Sequence, residues 1–368
     1  MLSATLIVRN EEKFLPDCLD SLQGFADEIV VVDTGSTDRT RAIALDRGAT
    51  LHDFVWREDF AAARNFALDR ASGDWILQID ADERIRPYTR AMLDHELAAP
   101  SLRAARLRFY PQTGLTAYRE LRLFRRHPDI RFEGAFHETI VPSLGRLVDR
   151  EGGAMGCTDL TIDHLGYDGG SVRKHERDLA MLARQVKIDP DRSYLWWHLG
   201  SIHLEKGCLP EAERAWHSGI EAARRSPRRL AEQSLCFTEL ARQRLVAGAS
   251  GEALDLIGET RSLLGNNLLL DCLEARALAA LHRWHEALEI FERLAAIDAD
   301  TLVGEFAYDR NILGAGALAE AGLSLFRAER YGESASWYGR AHALAPECLE
   351  FRAKWQLALA CAHRAGLT

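Results

Sequence analysis

Two carboxylates, separated by one residue, follow directly on an apolar segment and are well placed for chemistry. The segment Trp75–Ile79 leads into Asp80-Ala81-Asp82. Burying a carboxylate is costly unless a cation lies beside it. A hard divalent cation prefers such oxygen ligands, and it can also carry a diphosphate. The sequence therefore predicts a metal site for a nucleotide-linked substrate at the end of this strand.

The D-x-D spacing alone is a weak signal, because the chain contains it three times. The segments Asp189–Asp191 and Asp298–Asp300 lie beside helical patterns, where Asp commonly caps a helix or forms a turn. Only Asp80 and Asp82 follow a strand, and side chains at strand ends of open α/β sheets face the ligand crevice. The plainer alternative is a polar strand end at which Asp82 or Glu83 starts a helix.

Two earlier segments carry polar residues suited to a nucleotide. Asp33 follows the predicted strand Glu28–Val32 and precedes a Gly-Ser turn; its carboxylate could accept hydrogen bonds from a nucleobase or ribose. Arg64, next to Asn65 in a predicted helix, could stack on a nucleotide or offset phosphate charge. The alternatives are an ordinary turn with Asp38 as a helix cap, and a solvated arginine.

Two later residues could take part in proton transfer and metal binding. Glu138 follows the non-helical, glycine-containing stretch Phe132–His137 and could act as a general base if its pKa and reach are suitable. His164 lies near the end of the α/β pattern, and His is a common metal ligand. The alternatives are a surface loop charge for Glu138 and a structural role for a single histidine.

The order of predicted elements indicates an α/β domain that positions these residues. Strands separated by helices of this length are typical of βαβ units and a mostly parallel sheet. Residues 103–147 show strand-like runs without long helices, so additional strands, some antiparallel, are expected. The predicted strands are Leu2–Val8, Glu28–Val32, Thr50–Val55, Trp75–Ile79, Ala105–Tyr110 and Tyr118–Phe124, and the predicted helices are Asn10–Leu22, Ser36–Arg47 and Phe60–Ala71.

Beyond residue 170 the chain is rich in Ala, Leu, Arg and Glu and contains an internal helical repeat. Small residues recur at an offset of twelve, and the repeats start 41, 34 and 47 residues apart. One interval matches the 34 residues of a tetratricopeptide unit. Small residues in register let two antiparallel helices approach closely, and stacked pairs bury a continuous core. The helix Trp355–Ala362 is expected to cap the array; a plain helical bundle is the alternative. The small-residue pairs are Gly200 and Ala212, Ala241 and Ala253, Ala275 and Ala287, and Gly322 and Ser334.

Composition limits the class of protein. A length of 368 residues suggests about two domains, and we place a catalytic domain at 1–170, a linker helix at 171–190 and the repeats at 191–368. The formal net charge of −9 argues against a nucleic-acid binder. Seven scattered cysteines without a C-x-x-C pair predict a reducing cytoplasm. No apolar run reaches transmembrane length, so any membrane contact is expected to be peripheral, at the inner face.

Taken together, the polar motifs of residues 1–170 resemble those of family 2 glycosyltransferases with the GT-A fold. The helical repeats are similar to those of a bacterial branch that joins this domain to tetratricopeptide repeats. That branch includes peptide S-glycosyltransferases, and its enzyme domain also resembles transferases of lipopolysaccharide inner-core assembly. The motifs are Asn10-Glu11-Glu12, Val32–Ser36, Ala63-Arg64-Asn65, Asp80–Glu83, His137-Glu138 and His164-x-Gly166-Tyr167.

The resemblance implies inverting transfer from a nucleotide-sugar, most often a UDP-sugar, with Mn²⁺ or Mg²⁺ as cofactor. Glu138 would be the catalytic base. The implied donor-binding residues are Asn10, Asp33, Arg64, Asn65 and Asp80. The implied metal ligands are Asp82, His164 and Asp80, of which Asp80 would face ribose or metal. Thr34 stands where many members carry a second acidic residue. This difference weakens the inference about which nucleobase the donor carries.

The acceptor is expected to be a peptide or protein recruited by the repeats, or a glycan, and a homodimer through the repeats is a further expectation. One alternative is a transferase of lipopolysaccharide or another cell-envelope glycan. Another is a non-catalytic repeat scaffold with a degenerate nucleotide-binding domain. A nucleotidyltransferase would favour a glycine-rich basic loop near the N-terminus, and Val8–Glu11 is not one.

Overall fold

The computed structural model describes residues 1–111, 114–166 and 172–366, with residues 172–177 as backbone only. Tyr167 of the last motif lies outside the described residues. The chain divides into two compact units, Met1–Thr113 with Ala117–Gln185, and Gly114–Thr116 with Val186–Thr368. The division after Gln185 falls within the expected linker helix, and the domain boundaries at 170 and 190 stay a prediction.

Within the described residues, eight strands of the first unit form a mixed sheet. They are β1 (Leu2–Val8), β2 (Glu28–Asp33), β3 (Thr50–Asp53), β4 (Trp75–Gln78), β5 (Glu83–Ile85), β6 (Leu102–Pro111), β7 (Ala117–Arg125) and β8 (Ala154–His164). Their order is β3-β2-β1-β4-β7-β6-β8-β5. The first four strands pair in parallel, as β6 does with β8. β7 is antiparallel to β4 and β6, and β5 to β8, so the expected antiparallel additions are present.

The sheet is covered by helices on both faces. These helices are α1 (Leu15–Leu22), α2 (Thr40–Asp46), α3 (Phe60–Leu68), α4 (Arg90–Glu96) and α5 (Val141–Glu151), and α6 (Val172–Ile188) follows them. Alternate residues of a strand point to opposite faces. Val31 and Leu77 therefore join the core formed with α1, α2 and α4, while Val30 and Ile76 join the core formed with α3 and α5.

Two predicted helices begin later than the sequence pattern indicated. α1 starts at Leu15, not Asn10, and α2 starts at Thr40, not Ser36. The residues ahead of each helix bind one another instead of continuing it. The backbone N–H of Thr37 donates to the Asn10 Oδ1 at 2.7 Å, and Asn10 itself has a φ of 59°, outside the right-handed helical region.

The second unit is a series of antiparallel helix pairs. Its helices are α7 (Ser193–Glu205), α8 (Leu209–Arg225), α9 (Ser234–Val246), α10 (Ser250–Leu264), α11 (Leu268–Ala280), α12 (Trp284–Ala295), α13 (Gly314–Arg327), α14 (Tyr331–Leu344) and α15 (Leu349–Arg364). Short 3-10 turns lie at Ala231–Gln233 and Arg310–Ile312, and Val303–Gly304 is a two-residue strand. The predicted α/β domain followed by an all-helical repeat domain is confirmed.

The small residues of the repeat lie where two helices touch. Ala212, Ala253, Ala287 and Ser334 are fully buried. The hydroxyl of Ser334 donates to the carbonyl of Gly322 at 2.8 Å, which joins α13 directly to α14. This close approach explains why the sequence repeats a small residue at a fixed offset.

Gly200→Ala is expected to lower the free energy of unfolding by about 1–3 kcal/mol, because overpacking a filled core forces its neighbours to shift. A Cβ at Gly200 would lie 2.3 Å from Nε1 of the fully buried Trp216. Urea unfolding followed by helical circular dichroism measures the change. The matched control is Gly258→Ala in α10, where no heavy atom lies within 4 Å, and where alanine should gain about 0.5–1 kcal/mol. Equal effects at both positions would contradict the packing argument.

None of the described helices is both long and apolar enough to cross a membrane.

Candidate active site

The D-x-D pair lies on a tight turn that connects β4 to β5. The N–H of Glu83 donates to the carbonyl of Asp80 at 3.0 Å, and β5 then runs antiparallel to β8 with Glu83 opposite His164. The alternative in which Asp82 or Glu83 starts a helix is therefore wrong. The turn brings His164 beside Asp82 across 82 positions of sequence.

Asp80 is held between two arginines from different elements. Its Oδ1 accepts from Nη2 of Arg64 in α3 at 3.0 Å, and its Oδ2 accepts from Nη1 of Arg122 in β7 at 3.1 Å. Burial would raise the pKa of Asp80, but the charges of Arg64 and Arg122 outweigh burial and hold that pKa well below its usual range. Asp80 is therefore ionised and already partnered.

Glu83 is the most buried carboxylate of the turn, with 1% of the residue exposed. It accepts from the backbone N–H of Asp80 at 2.8 Å and from Nη2 of Arg122 at 3.1 Å. Burial raises the pKa of Glu83 to about 8, and the positive charge of Arg122 opposes that rise. Arg122 thus fixes both carboxylates, and the sequence analysis missed Arg122 and the role of Glu83. The available signal was an arginine between Leu121 and Leu123 of the predicted strand Tyr118–Phe124.

Glu138 is bound to Arg64, the same arginine that holds Asp80. The Arg64 Nε donates to Oε1 of Glu138, and each of these two side chains is 11% exposed. Phe132–Thr139 forms a closed loop, since Glu133 and Thr139 exchange backbone hydrogen bonds of 2.9 and 3.0 Å. The predicted catalytic residue and two predicted donor-binding residues therefore form one chain of charges.

Asn65 positions this loop from α3. Its Nδ2 donates to the carbonyl of Phe132 and its Oδ1 accepts from the N–H of Phe132, both at 2.9 Å. The nitrogen and the oxygen of the Asn65 side-chain amide thus both bond to the backbone of Phe132. A donor contact by Asn65 stays a prediction, and the contacts observed are those of a residue that fixes the Glu138 loop.

Asp82 and His164 form the pair best suited to a divalent ion. The His164 Nε2 lies 3.3 Å from Oδ2 of Asp82. The hydrogen bond to Asp82 raises the pKa of His164, against the effect of burial. A Cβ at Gly166 would lie 1.6 Å from the same Asp82 oxygen, so only glycine leaves this carboxylate its space. A carboxylate and a neutral imidazole at this separation fit a divalent cation.

The predicted third metal ligand, Asp80, does not join that pair in a compact cluster. Within the part of the chain that the structure describes, the only group of three acidic, His or Cys residues with ligand atoms within 4.8 Å of one another is His127, Asp129 and Glu151. Arg150 already pairs with both acids of that surface group. Asp80 faces its arginines instead, and its role as a metal ligand stays a prediction.

Comparison with known proteins adds an independent observation, because residues 3–146 match the family model described as glycosyl transferase family 2. These residues form a family 2 glycosyl transferase domain. The matched segment contains the Asp80–Asp82 turn, both arginines and Glu138. It ends within α5, before His164.

Curated relatives extend the likeness of the family 2 domain. A TPR repeat-containing protein of Synechococcus elongatus is 39% identical over 235 residues, which cover 61% of this chain and 58% of that protein. The lipopolysaccharide core biosynthesis glycosyltransferase LpsC of Rhizobium meliloti is 38% identical over 178 residues, covering 44% and 65%. The glycosyltransferase SunS of Bacillus subtilis is 30% identical over 220 residues, covering 55% and 49%. The chain thus spans about half to two thirds of the length of these relatives.

Solved structures with similarity to the family 2 domain include two sugar transferases of phosphoglycerate. Mannosyl-3-phosphoglycerate synthase from Rubrobacter xylanophilus has a TM-score of 0.40 at 19% identity, covering 51% of this chain and 74% of that one. Glucosyl-3-phosphoglycerate synthase from Mycobacterium tuberculosis, solved with Mn²⁺, UDP-glucose and phosphoglyceric acid, has a TM-score of 0.37 at 17% identity, covering 50% and 79%.

Asp33 and Asn10 of the family 2 domain lie at the carboxyl ends of β2 and β1. Asp33 is 2% exposed and accepts from the N–H of Ser36 at 3.1 Å and from Nη1 of Arg41 at 2.8 Å. The N–H of Asn10 donates to the Ser36 hydroxyl at 3.0 Å, and its side chain holds Thr37. Both residues stabilise the turn after β2, and their contact with a nucleotide stays a prediction.

Glu11 is a third acidic residue beside the D-x-D turn of the family 2 domain. Burial, followed by the negative charges of Asp82, Asp80 and Asp38, raises the pKa of Glu11 to about 7. Glu11 belongs to the motif Asn10-Glu11-Glu12, and no role was predicted for it from the sequence. The negative potential that it shares with Asp80 and Asp82 is one that a bound cation would relieve.

If Asp82 and His164 hold Mn²⁺, the affinity of this chain for the ion is expected to rise as pH increases through about 7. Below that pH Glu11 is protonated, and His164, whose pKa is also raised, carries a proton that a metal must displace. Calorimetric titration in two buffers with different ionisation enthalpies measures the protons released. Glu11→Gln should remove part of this release, and Glu12→Gln should leave it unchanged. Identical release by wild type and Glu11→Gln would contradict the coupling.

Proposed function

We propose that this chain transfers a sugar from a nucleotide-diphosphate sugar, with a UDP-sugar as the first choice, to an acceptor in a single inverting displacement. The family 2 match supports glycosyl transfer as the reaction class. The single observation that carries the proposal is the meeting of two groups at one edge of the sheet. One is the Asp82–His164 pair, and the other is the chain of charges through Arg64 that connects Asp80 to Glu138.

In this proposal Asp82 and His164 would hold a Mn²⁺ or Mg²⁺ ion. When bound, the ion would neutralise the leaving diphosphate as a Lewis acid. His164 must then be neutral, and Gly166 keeps the Asp82 carboxylate unobstructed. Asp80, fixed by Arg122, would face the ribose or the ion.

Arg64 and Glu138 would divide the remaining work. A diphosphate is a strong partner for a guanidinium, so an incoming donor competes with Glu138 for Arg64. Loss of that ion pair leaves the Glu138 carboxylate without its partner and open to the acceptor nucleophile. Glu138 then accepts the proton of the acceptor nucleophile as the new glycosidic bond forms and the bond to the diphosphate breaks.

A second candidate is transfer to a lipopolysaccharide or another envelope glycan. The observation that favours it is the 38% identity to LpsC, which is named for lipopolysaccharide core biosynthesis. The peptide or protein acceptor that the resemblance of the helical repeats implies is the other candidate. Both candidates share the donor chemistry proposed above and differ only in the acceptor.

Donor hydrolysis by the full chain tests the proposal. A panel of UDP- and GDP-sugars is incubated with Mn²⁺, with Mg²⁺ and with a chelator, and released nucleotide is measured. Turnover of one donor that depends on the metal is the expected result. Absence of turnover with every donor and metal, combined with tight UDP binding, would favour the scaffold with a degenerate nucleotide-binding domain.

A further inference from the structure

The helical unit contains a groove formed by the first helices of three successive pairs. Side chains of α9, α11 and α13 line a cavity of about 550 Å³. The groove lies within the second unit. All of its lining residues belong to that unit. None of the roles proposed for the family 2 residues involves this groove.

Positive charge predominates in this groove. Arg242, Arg276 and Arg327 all line it, whereas Glu320 is the one carboxylate among its lining residues. Glu320 is already paired, accepting from Nε of Arg276 at 2.9 Å. Arg242 bonds Glu239 in its own helix at 3.2 Å, and no ion pair of Arg327 is found among the described residues. The charge of this groove is therefore opposite in sign to the net charge of the chain, which is −9.

Most of the remaining lining is apolar. It consists of Leu245, Val246, Leu323, Trp284 and three alanines, with His282 and Ser324 as its other polar members. Val246 is 79% exposed, an unusual setting for a β-branched apolar residue. A ligand that fits both kinds of lining must present carboxylates and apolar side chains together, as an acidic peptide does and a simple anion does not.

We propose that this groove docks a peptide segment in which acidic residues alternate with apolar ones. The planar guanidinium groups of Arg242 and Arg327 bind carboxylates in a bidentate manner, and the leucine and valine side chains pack against the apolar positions. The role of this groove as a docking site for an acceptor polypeptide rests on the proposed glycosyl transfer. The binding of the peptide does not rest on it.

Fluorescence anisotropy with the full chain tests the binding. The probes are three labelled peptides of equal length that alternate leucine with Glu, Gln or Lys. The Glu peptide is expected to bind at least about tenfold more tightly than the Gln peptide, the size expected for charged hydrogen bonds. Raising the salt concentration should reduce this advantage. The Lys peptide should not bind.

Variants of the groove give the second arm. Arg242→Glu and Arg327→Glu are each expected to weaken Glu-peptide binding by about tenfold, and the neutral Arg327→Gln should weaken it less. Arg214→Glu is the matched control, because Arg214 makes the same kind of within-helix pair, to Glu211 at 2.8 Å, outside the groove. Circular dichroism checks that the helices are retained. Arg327 is exposed and has no ion pair among the described residues, so substitutions at this position should disturb the helices least.

Three results would overturn the proposal. They are equal binding of the Glu and Gln peptides, wild-type binding by both Arg327 variants, and complete displacement of the Glu peptide by millimolar inorganic phosphate. The last would mean that the groove takes a simple anion. Donor hydrolysis is measured on the same variants and should be unchanged, so a failure of docking and a failure of the proposed transferase activity remain distinguishable.

Discussion

Asp82→Asn should reduce metal-dependent donor turnover by on the order of a hundredfold or more. A Lewis-acid metal supplies several kcal/mol to the departure of a diphosphate, and each 1.36 kcal/mol corresponds to about a factor of ten in rate. Asparagine keeps the size of the side chain but removes the charge that faces His164 at 3.3 Å. The measurement is the initial rate of nucleotide release over a range of Mn²⁺ concentrations.

A matched control for Asp82→Asn exists elsewhere in the same unit. Asp129 belongs to the surface group with His127 and Glu151, whose ligand atoms lie within 4.8 Å of one another. Asp129→Asn is expected to leave both turnover and Mn²⁺ dependence unchanged, because Arg150 already pairs with both carboxylates of that group. Wild-type turnover by Asp82→Asn with every donor would exclude Asp82 as a metal ligand. Loss of Mn²⁺ dependence in Asp129→Asn instead would move the metal to the surface group.

The sequence was most informative where a property is local. Asp80 and Asp82 could be separated from two other D-x-D pairs because a continuous apolar run ends directly before them. The repeat register could be read because a close helix contact demands a small residue each time, as at Gly200 against Trp216. Neither inference needed knowledge of which segments meet in space.

The parts that sequence reasoning missed depend on pairings between distant segments. Arg122 reaches Asp80 and Glu83 only because β7 lies antiparallel to β4. β8 was overlooked, although its buried Leu160 and Ile162 alternate with polar residues as in a half-buried strand. α5 was overlooked too: Gly145 lowers its helix propensity, but its apolar residues recur at helical spacing.

Arg64 shows why the same residue can be found by motif and still be misread. The motif Ala63-Arg64-Asn65 predicted that Arg64 contacts a nucleotide or phosphate. Its position between Asp80 and Glu138 adds a second task, since it holds two carboxylates together when no donor competes for it. This contact also determines what a change at Glu138 should do.

Glu138→Gln should lower the rate of sugar transfer by about 10²–10⁴-fold, the range for loss of a general base, without lowering donor affinity, because a neutral amide competes less with the diphosphate for Arg64. Glutamine retains an oxygen that can accept from Nε of Arg64, so the loop and Arg64 keep their positions. It cannot accept the proton of the acceptor nucleophile. Transfer rates give kcat, and calorimetric titration with UDP and Mn²⁺ gives the affinity of the nucleotide site.

The control comes from the same loop. Glu133 is 40% exposed and pairs with Arg146 away from Arg64, so Glu133→Gln should change neither rate nor affinity. If Glu138→Gln transfers sugar at a near-normal rate, Glu138 is not the base, and its ion pair with Arg64 is structural. If donor affinity falls together with the rate, Glu138 acts by positioning Arg64 for the diphosphate. A fall in kcat without loss of donor affinity is the outcome expected of a base, because only the proton-transfer step then lacks its acceptor.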